Sequence, residues 1–312
     1  MSKRRWAPLA RIIGVAAWIA TASAAAAEGV HAFRITGPDG SSSTLLGTIH
    51  LGDPRIVQPD TAVLDGARRL IVEARPDQAP PPTPQDLLDP AAITAIKNGE
   101  LRRAEWVSML TPEDLVLLRS YVACAIPKQV DQVFEYFLAL KAWRAAYAVA
   151  IPCPQPSDLS RDKMLMQRAE QTGLPIVPLE TMDENQRQKD ALIASLGERV
   201  FVNSLKHSIR LVGAQAITDY IKAINAGDFE EVLTISRRYA IDASEAEGVY
   251  HYMVRNRNII WLPRLETYLQ DGNAVVLVGA GHLAGPGGLI ALLQRAGYSV
   301  QPILLPGAAK HP

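Results

Sequence analysis

Strand-like segments lie near both ends of this chain while its middle is helical in pattern, and this arrangement constrains the fold more than any other feature. Near the N-terminus, His31–Gly37 and Ser43–Ile49 flank a Pro-Asp-Gly turn, which predicts an antiparallel hairpin. Near the C-terminus, the runs Asn273–Val278 and Tyr298–Leu305 enclose a helical pattern over Gly287–Arg295. A strand–helix–strand unit implies parallel pairing of its two strands. We therefore expect one mixed sheet built from both ends of the chain.

Two further strands and a long helical segment complete the expected fold. Arg69–Ala74 and Leu174–Leu179 are short apolar runs typical of strands. The proline-rich segment Pro76–Pro84 predicts a loop, and apolar residues at helical spacing predict helices after it, including one over Asp131–Val149. The expected class is α/β, with a central mixed β-sheet flanked by helices and a large helical insertion at about residues 85–150.

The first 27 residues have the layout of a secretory signal. Three basic residues precede an apolar run at Ile12–Ala20, and small residues continue to Ala27. This run is shorter than the roughly 20 residues that a membrane-spanning helix needs. We predict a signal peptide at residues 1–27, cleaved after Ala27 or Ala24, and a single domain over 28–312 in the periplasm or secreted. An uncleaved anchor and export by the twin-arginine route stay open.

Charge and cysteine content narrow the partners and the compartment. The chain has 32 basic and 32 acidic residues, and without residues 1–27 it keeps 28 basic residues against 32 acidic ones. With no basic block, nucleic acid is not an expected partner, and we expect a peptide or small-molecule substrate. Cys124 and Cys153 predict one disulfide in an oxidising compartment, with two buried thiols as the alternative. A homodimer is left open.

Two segments repeat one design, a strand followed by Gly-x-x-His. They are Leu45–His50 and Leu277–His282. The glycine lets the backbone turn tightly where a strand ends, and the histidine three residues later can project into a crevice at the strand ends. One such motif carries little information, because a lone histidine is usually a hydrogen-bonded turn residue. Two copies after two apolar strands favour a functional pair, His50 and His282.

Carboxylates stand at matching places, because Glu73 and Glu180 each end a predicted strand. Two histidines with one or two glutamates suit a divalent metal such as Mn, Co or Zn. Such an ion lowers the pKa of bound water and polarises a carbonyl, which supports hydrolysis, and a spare carboxylate can act as general base. Surface ion pairs are the alternative for each glutamate.

A basic residue near the C-terminal third adds one more candidate. Arg255 and Asn256 lie in a predicted helix where asparagine is a poor helix former, so they either bind substrate and orient a carboxylate or belong to a solvated face. Without a metal, His50 could itself be the general base while an arginine holds the developing oxyanion.

These motifs resemble the TraB/GumN family, which is related to the Tiki proteases and more distantly to erythromycin-esterase-like and ChaN-like proteins. The resemblance covers about residues 30–305. It rests on Leu46–His50, on Val278–Leu283, on Pro178–Thr181 with Glu184–Gln186, and on the Arg-Asn pair at 255–256.

The resemblance implies a mixed sheet on which the two histidine motifs converge. It also implies a Mn- or Co-dependent peptidase in which His50, His282 and Glu73 bind the metal. In our hypothesis, Glu180 or Arg255 supports these ligands. Residues 140–143 read Leu-Lys-Ala-Trp where the family pattern has Leu-Lys-Pro-Trp, which leaves a local helix bend open.

The resulting hypothesis is a metal-dependent hydrolase of the periplasm or cell envelope that acts on a peptide. Its rivals are a non-catalytic periplasmic binding protein for a peptide pheromone or haem, and an accessory factor in envelope polysaccharide assembly.

Overall fold

The computed structural model describes residues 29–75, 84–150, 153, 159–240 and 243–308. The predicted signal peptide and most of the proline-rich loop lie outside these residues. Within the described ranges, no helix is both long and apolar enough to cross a bilayer.

In the described ranges, six strands form one mixed sheet, which confirms the predicted fold class. The strands are β1 (Val30–Thr36), β2 (Ser42–Thr48), β3 (Arg69–Val72), β4 (Ile176–Pro178), β5 (Ala274–Gly279) and β6 (Ser299–Leu305), in the spatial order β4-β3-β5-β2-β1-β6. β1 and β2 form the predicted antiparallel hairpin. β2, β5, β3 and β4 all run parallel to one another.

The C-terminal strand–helix–strand unit differs from the expectation. β5 and β6 point the same way but are not neighbours, because the hairpin lies between them and β6 pairs antiparallel with β1. The reason is burial. Residues 274–278 of β5 are all buried, and an apolar run of this kind belongs at the centre of a sheet covered on both faces. β6 is partly exposed along its length and forms an edge.

Some helices cover the two faces of the sheet, and others pack together around a separate core. They are α1 (Pro84–Leu87), α2 (Pro90–Lys97), α3 (Pro112–Ala125), α4 (Val130–Leu138), α5 (Ala142–Val149), α6 (Arg161–Thr172), α7 (Met182–Leu196), α8 (Glu198–His207), α9 (Gly213–Ala226), α10 (Phe229–Arg238), α11 (Ala243–Val249), α12 (Asn256–Leu269) and α13 (Leu289–Arg295). α3 begins with a reciprocal cap between Thr111 and Asp114, and α6 ends at Gly173, which has a positive φ.

The single helix expected over Asp131–Val149 is divided into α4 and α5. Between them Leu140 forms an isolated β-bridge with Leu88, and its carbonyl accepts a 2.7 Å hydrogen bond from Trp106 Nε1. The backbone amide of Lys141 donates to the carbonyl of Leu87. These contacts with a distant segment satisfy the backbone outside the helix, so the continuous apolar periodicity does not produce one helix.

Alternation along the strands divides the core between the two faces of the sheet. Leu45, Ile71 and Val276 pack on one face against α9, α10, α12 and α13. Leu46 and Leu70 pack on the other face against α6 and neighbouring segments. The inward-facing side chains of both faces are thus removed from water, which stabilises a layered α/β fold.

The helical insertion has a core of its own. Buried residues of α2 to α5 pack together, and Val202 and Leu205 of α8 join them although α8 lies far beyond residue 150. The predicted disulfide is present between Cys124, in the last turn of α3, and Cys153, just after α5, with the two Cα atoms 6.0 Å apart. This second core is therefore closed both by packing and by a covalent bond.

Candidate functional site

Four of the five residues that the sequence singles out follow four adjacent parallel strands. His50 comes after β2, Glu73 after β3, Glu180 after β4 and His282 after β5. Because the carboxyl ends of parallel strands meet at one edge of a sheet, these side chains gather there, where open α/β sheets place their ligands.

The glycines of the two Gly-x-x-His motifs, Gly47 and Gly279, stand where there is little space for a side chain. Neither has a positive φ. A Cβ on Gly47 would lie 2.7 Å from Phe229 Cε1 and 2.9 Å from Leu283 Cδ1, so glycine is needed for β2 to pack closely. A Cβ on Gly279 would lie 3.0 Å from Glu73 Oε1 and would enter the space between the candidate residues. The backbone turns directly after Gly279, into a short 3-10 helix at Ala280–His282, but this turn does not need the conformational freedom of glycine.

His282 is buried and its ring orientation is fixed. Its Nδ1 lies 2.7 Å from Asn258 Oδ1, while Asn258 Nδ2 donates to the carbonyls of His282 and Gly287. The amide nitrogen is thus used as a donor twice, so Oδ1 accepts the proton of His282 Nδ1. Burial lowers the pKa of His282 to about 3, which leaves a neutral ring with its Nε2 lone pair directed into the site.

His50 lies at the exposed mouth of the site, with 62% of its side chain accessible. Its Nδ1 is 3.3 Å from Asp162 Oδ1, and its Nε2 is 3.6 Å from Glu73 Oε1. Hydrogen bonding to Asp162 first, and then to Glu73, raises the pKa of His50 well above its ordinary value. The ring of His50 therefore lies between the carboxylates of Asp162 and Glu73.

Glu73 lies at the centre of the cluster. Its Oε1 accepts the backbone N–H of Gly279 at 2.5 Å and lies 3.9 Å from His282 Nε2, and its Oε2 accepts Arg257 Nη2 at 2.7 Å. Burial works against ionisation of Glu73, but the positive charges of Arg257 and His50 keep its pKa well below the ordinary value. Glu73 is consequently an anion between the cation Arg257, the raised-pKa His50 and the neutral ring of His282.

Arg257 is the buried centre of charge that the sequence reasoning missed. It contacts both Glu180 oxygens through Nε and donates to Glu180 Oε1 through Nη2 at 2.7 Å. Its Nη1 donates to His282 Nε2 at 3.1 Å, and its guanidinium carbon lies 4.6 Å from the centre of the Trp261 ring. Arg255, two residues earlier, is exposed and is not brought to this cluster among the described contacts.

Helical periodicity could have separated the two arginines. The sequence reads Arg-Asn twice in succession, and only the second pair shares the apolar face of α12 with Trp261 and Leu265. Residues 257, 258, 261 and 265 are all buried, at the spacing of one helix face. The Arg-Asn pair that matters structurally is Arg257-Asn258.

Glu180 is buried and saturated with hydrogen bonds. Its carboxylate accepts from Arg257, from Trp261 Nε1 at 2.9 Å and from Asn185 Nδ2 at 2.7 Å. This arrangement makes Glu180 the anchor of the guanidinium.

Three side chains at the mouth of the site are of the types that bind divalent cations in proteins. His50 Nε2 and His282 Nε2 both face Glu73 Oε1, at 3.6 and 3.9 Å. Two ligands that share one ion lie roughly 3.0–3.5 Å apart, so both of these histidine–glutamate distances are wider than those of a coordinated set. As they stand in the described part of the chain, no three or more His, Cys, Asp or Glu residues are close enough together to hold a metal ion. The cradle above Gly279, which a Cβ would fill, is bordered by these same donors.

A separate cleft of about 890 Å³ lies between α7, α8 and the helical insertion. Its walls include Trp143, Phe201 and Asp190. None of the candidate residues lines this cleft, although Met182 at its edge follows Glu180 by two positions.

A sequence model of the TraB/PrgY/gumN family matches residues 32–302. Searches of curated proteins and of solved structures gave no match. The matched range contains both histidine motifs, Glu73, Glu180 and Arg257.

Proposed function

The chain belongs to the TraB/PrgY/gumN family, and from this premise we propose that it is a metal-dependent hydrolase of the cell envelope that acts on a peptide. One observation carries the proposal. The Nε2 atoms of His50 and His282, from opposite ends of the chain, both face the same oxygen of Glu73, while each Nδ1 faces an oxygen of another side chain. Metal-binding histidines in proteins are held in this way.

His50, Glu73 and His282 would hold the ion, with Mn or Co preferred and Zn also suited to the donor set. When bound, such an ion supplies a water of lowered pKa and polarises a substrate carbonyl. Asn258 keeps the proton on His282 Nδ1, so Nε2 carries the lone pair that would bind the ion. Glu180 holds Arg257, which balances the charge of Glu73. Nη1 of Arg257 also donates to His282 Nε2, and it would have to release that lone pair to the ion.

The envelope location is part of the proposal. It is supported by the basic and apolar N-terminal residues and by the Cys124–Cys153 disulfide, because disulfides persist in oxidising compartments such as the periplasm.

The test is metal binding followed by a substrate screen. The chain from residue 28 is titrated with Mn²⁺, Co²⁺ and Zn²⁺ in turn, and compared with the His50→Ala/His282→Ala double variant and with His251→Ala, a histidine outside the cluster. We expect one ion per chain in the parent and in His251→Ala, and none in the double variant. A peptide library then reports hydrolysis by the loaded protein.

Equal binding by the parent and the double variant would contradict the metal site. Stoichiometric binding without hydrolysis of any peptide would instead favour a binding protein without turnover.

A further inference from the structure

A carboxylate outside both histidine motifs faces the exposed histidine. Asp162 lies in the first turn of α6, far along the chain from His50. Its Oδ1 is 3.3 Å from His50 Nδ1, and its Oδ2 accepts a 2.6 Å hydrogen bond from Thr48 Oγ1. The carboxylate therefore connects the end of β2 with the ring of the histidine that follows it.

The start of α6 is itself attached to β2 beside this carboxylate. The adjacent Arg161 is 2% exposed, and its guanidinium donates to the carbonyl of Gly47 and, at 2.7 Å, to that of Val57. Ser160 caps the helix by accepting the amide of Lys163. Because Arg161 binds the backbone of the first motif directly, the position of Asp162 relative to His50 is set by a buried contact and not by a mobile surface side chain.

We propose that Asp162 is the positioning residue of His50: it accepts the Nδ1 proton and so directs Nε2 at Glu73 Oε1. The orientation itself does not depend on the proposed function, but its purpose does, because a ring oriented in this way serves to bind an ion. An exposed histidine without such a partner would sample several rotamers and expose either nitrogen. The buried His282 has the same arrangement, with Asn258 Oδ1 in place of the carboxylate.

The first experiment reads the proton itself and needs no metal. Histidine-labelled, metal-free protein is studied by ¹⁵N–¹H NMR, with His50→Ala identifying the His50 signals. We expect a slowly exchanging Nδ1 proton on His50 in the parent chain and in Glu170→Gln, which removes an exposed carboxylate from the same helix. We expect that signal to be lost in Asp162→Ala and weakened in Asp162→Asn, whose neutral side chain keeps the shape of the site.

A protected Nδ1 proton that persists in Asp162→Ala, or its absence from the parent chain, overturns the proposal. If Asp162→Ala does not fold, Asp162→Asn decides the question on the same readout.

Metal titration of the same variants separates this proposal from the proposed function. Loss of an outer-shell partner typically lowers metal affinity 10- to 100-fold, so we expect that loss in Asp162→Ala at unchanged stoichiometry. If the parent chain binds no ion but shows the Asp162-dependent proton, the hydrolase proposal is contradicted and the positioning role of Asp162 is not. Unchanged affinity in Asp162→Ala would show that the orientation of His50 does not serve ion binding.

Discussion

At the scale of single residues, the site is organised by one guanidinium between two carboxylates. Arg257 contacts Glu73 and Glu180, and all three side chains are largely removed from water. Desolvation of such charges is costly, and it is offset only where the geometry also provides hydrogen bonds to the remaining donors and acceptors. Here Trp261, Asn185 and the backbone of Gly279 provide them.

Replacing Arg257 with alanine should strongly destabilise the fold. Two buried carboxylates would lose their shared cation, and breaking a buried pair by removing one partner costs about 3–5 kcal/mol. Arg255→Ala is the matched control, since the exposed arginine two residues earlier should change the free energy of unfolding by less than about 0.5 kcal/mol. Urea denaturation of both variants checks this, and similar losses in the two would contradict the central role of Arg257.

A second charged pair gives the fold a defined dependence on pH. Arg264 donates to both oxygens of Glu184 at 2.7 and 2.8 Å, and Glu184 also accepts the amide of Thr181. The hydrogen bonds from Arg264 are the largest cause that lowers the pKa of Glu184, to about 2. Because the folded pKa lies below the unfolded one, this stabilisation is complete above about pH 4.5 and is lost as pH falls towards 2.

The expected contribution is of the order of 1–2 kcal/mol, reduced by solvent screening because Arg264 is partly exposed. Glu184→Gln should lower the free energy of unfolding at pH 7 by this amount and by almost nothing near pH 2. Asp183→Asn, which removes a charge from the same helical turn and leaves the pair intact, should not show this pH-dependent difference. If the free energies of unfolding of the parent, Glu184→Gln and Asp183→Asn change in the same way between pH 2 and 7, the Arg264–Glu184 pair is not the source of this pH dependence.

At the scale of elements, the ends of parallel strands decide which side chains meet. β2 and β5 are neighbours, so the two Gly-x-x-His motifs are adjacent although more than two hundred residues separate them. The glycine of the second motif leaves the space that these side chains surround. The strand order thus turns two ordinary local motifs into one cluster.

Gly279→Ala should impair ion binding without unfolding the protein. The φ of Gly279 is −54°, which alanine adopts freely, but the added Cβ would lie 3.0 Å from Glu73 Oε1 and 3.6 Å from His50 Nε2. We expect at least a tenfold loss of metal affinity, comparable with disturbance of the groups that orient metal ligands, and a change in stability of less than about 1 kcal/mol. Gly281→Ala, where no atom lies within 4 Å of the added Cβ, is the control. Calorimetric titration should find the control unchanged, and equal affinities for the two variants would argue against a site in this space.

At the scale of the whole molecule, two kinds of core coexist. The sheet is covered on both faces, and the helical insertion packs around its own apolar centre, to which α8 contributes. The Cys124–Cys153 disulfide lies in the insertion and spans 29 positions of the chain. It restricts the unfolded state of that segment rather than the sheet.

Reduction of the disulfide should therefore destabilise the insertion first. For a closed loop of this length, the loss of chain entropy in the unfolded state corresponds to about 3–4 kcal/mol. Hydrogen exchange should show faster opening of α3 to α5 in reductant, with β2, β3 and β5 much less affected. The Cys124→Ser/Cys153→Ser variant should behave like the reduced protein and be insensitive to reductant, and uniform acceleration across the molecule would contradict a local effect.

The sequence alone determined much of the local structure and the choice of most of the candidate site residues. Periodicity, caps and turn residues specify the six strands, the N-terminal hairpin and most helices, because these depend on neighbours within a few positions. The repeated Gly-x-x-His motif and the carboxylates after strands led to His50, Glu73, Glu180 and His282, which the structure brings to one edge of the sheet. The family was also evident from these motifs, and the match over residues 32–302 confirms it.

Only the tertiary structure decided which distant groups satisfy one another. The place of β6 beside β1, the division of α4 from α5 at Leu140, and the choice of Arg257 over Arg255 each depend on contacts between segments that are distant in the chain. The approach of Asp162 to His50 is of the same kind. Such contacts depend on desolvation and on which surfaces face each other, and neither quantity is encoded in the spacing of residues along the chain.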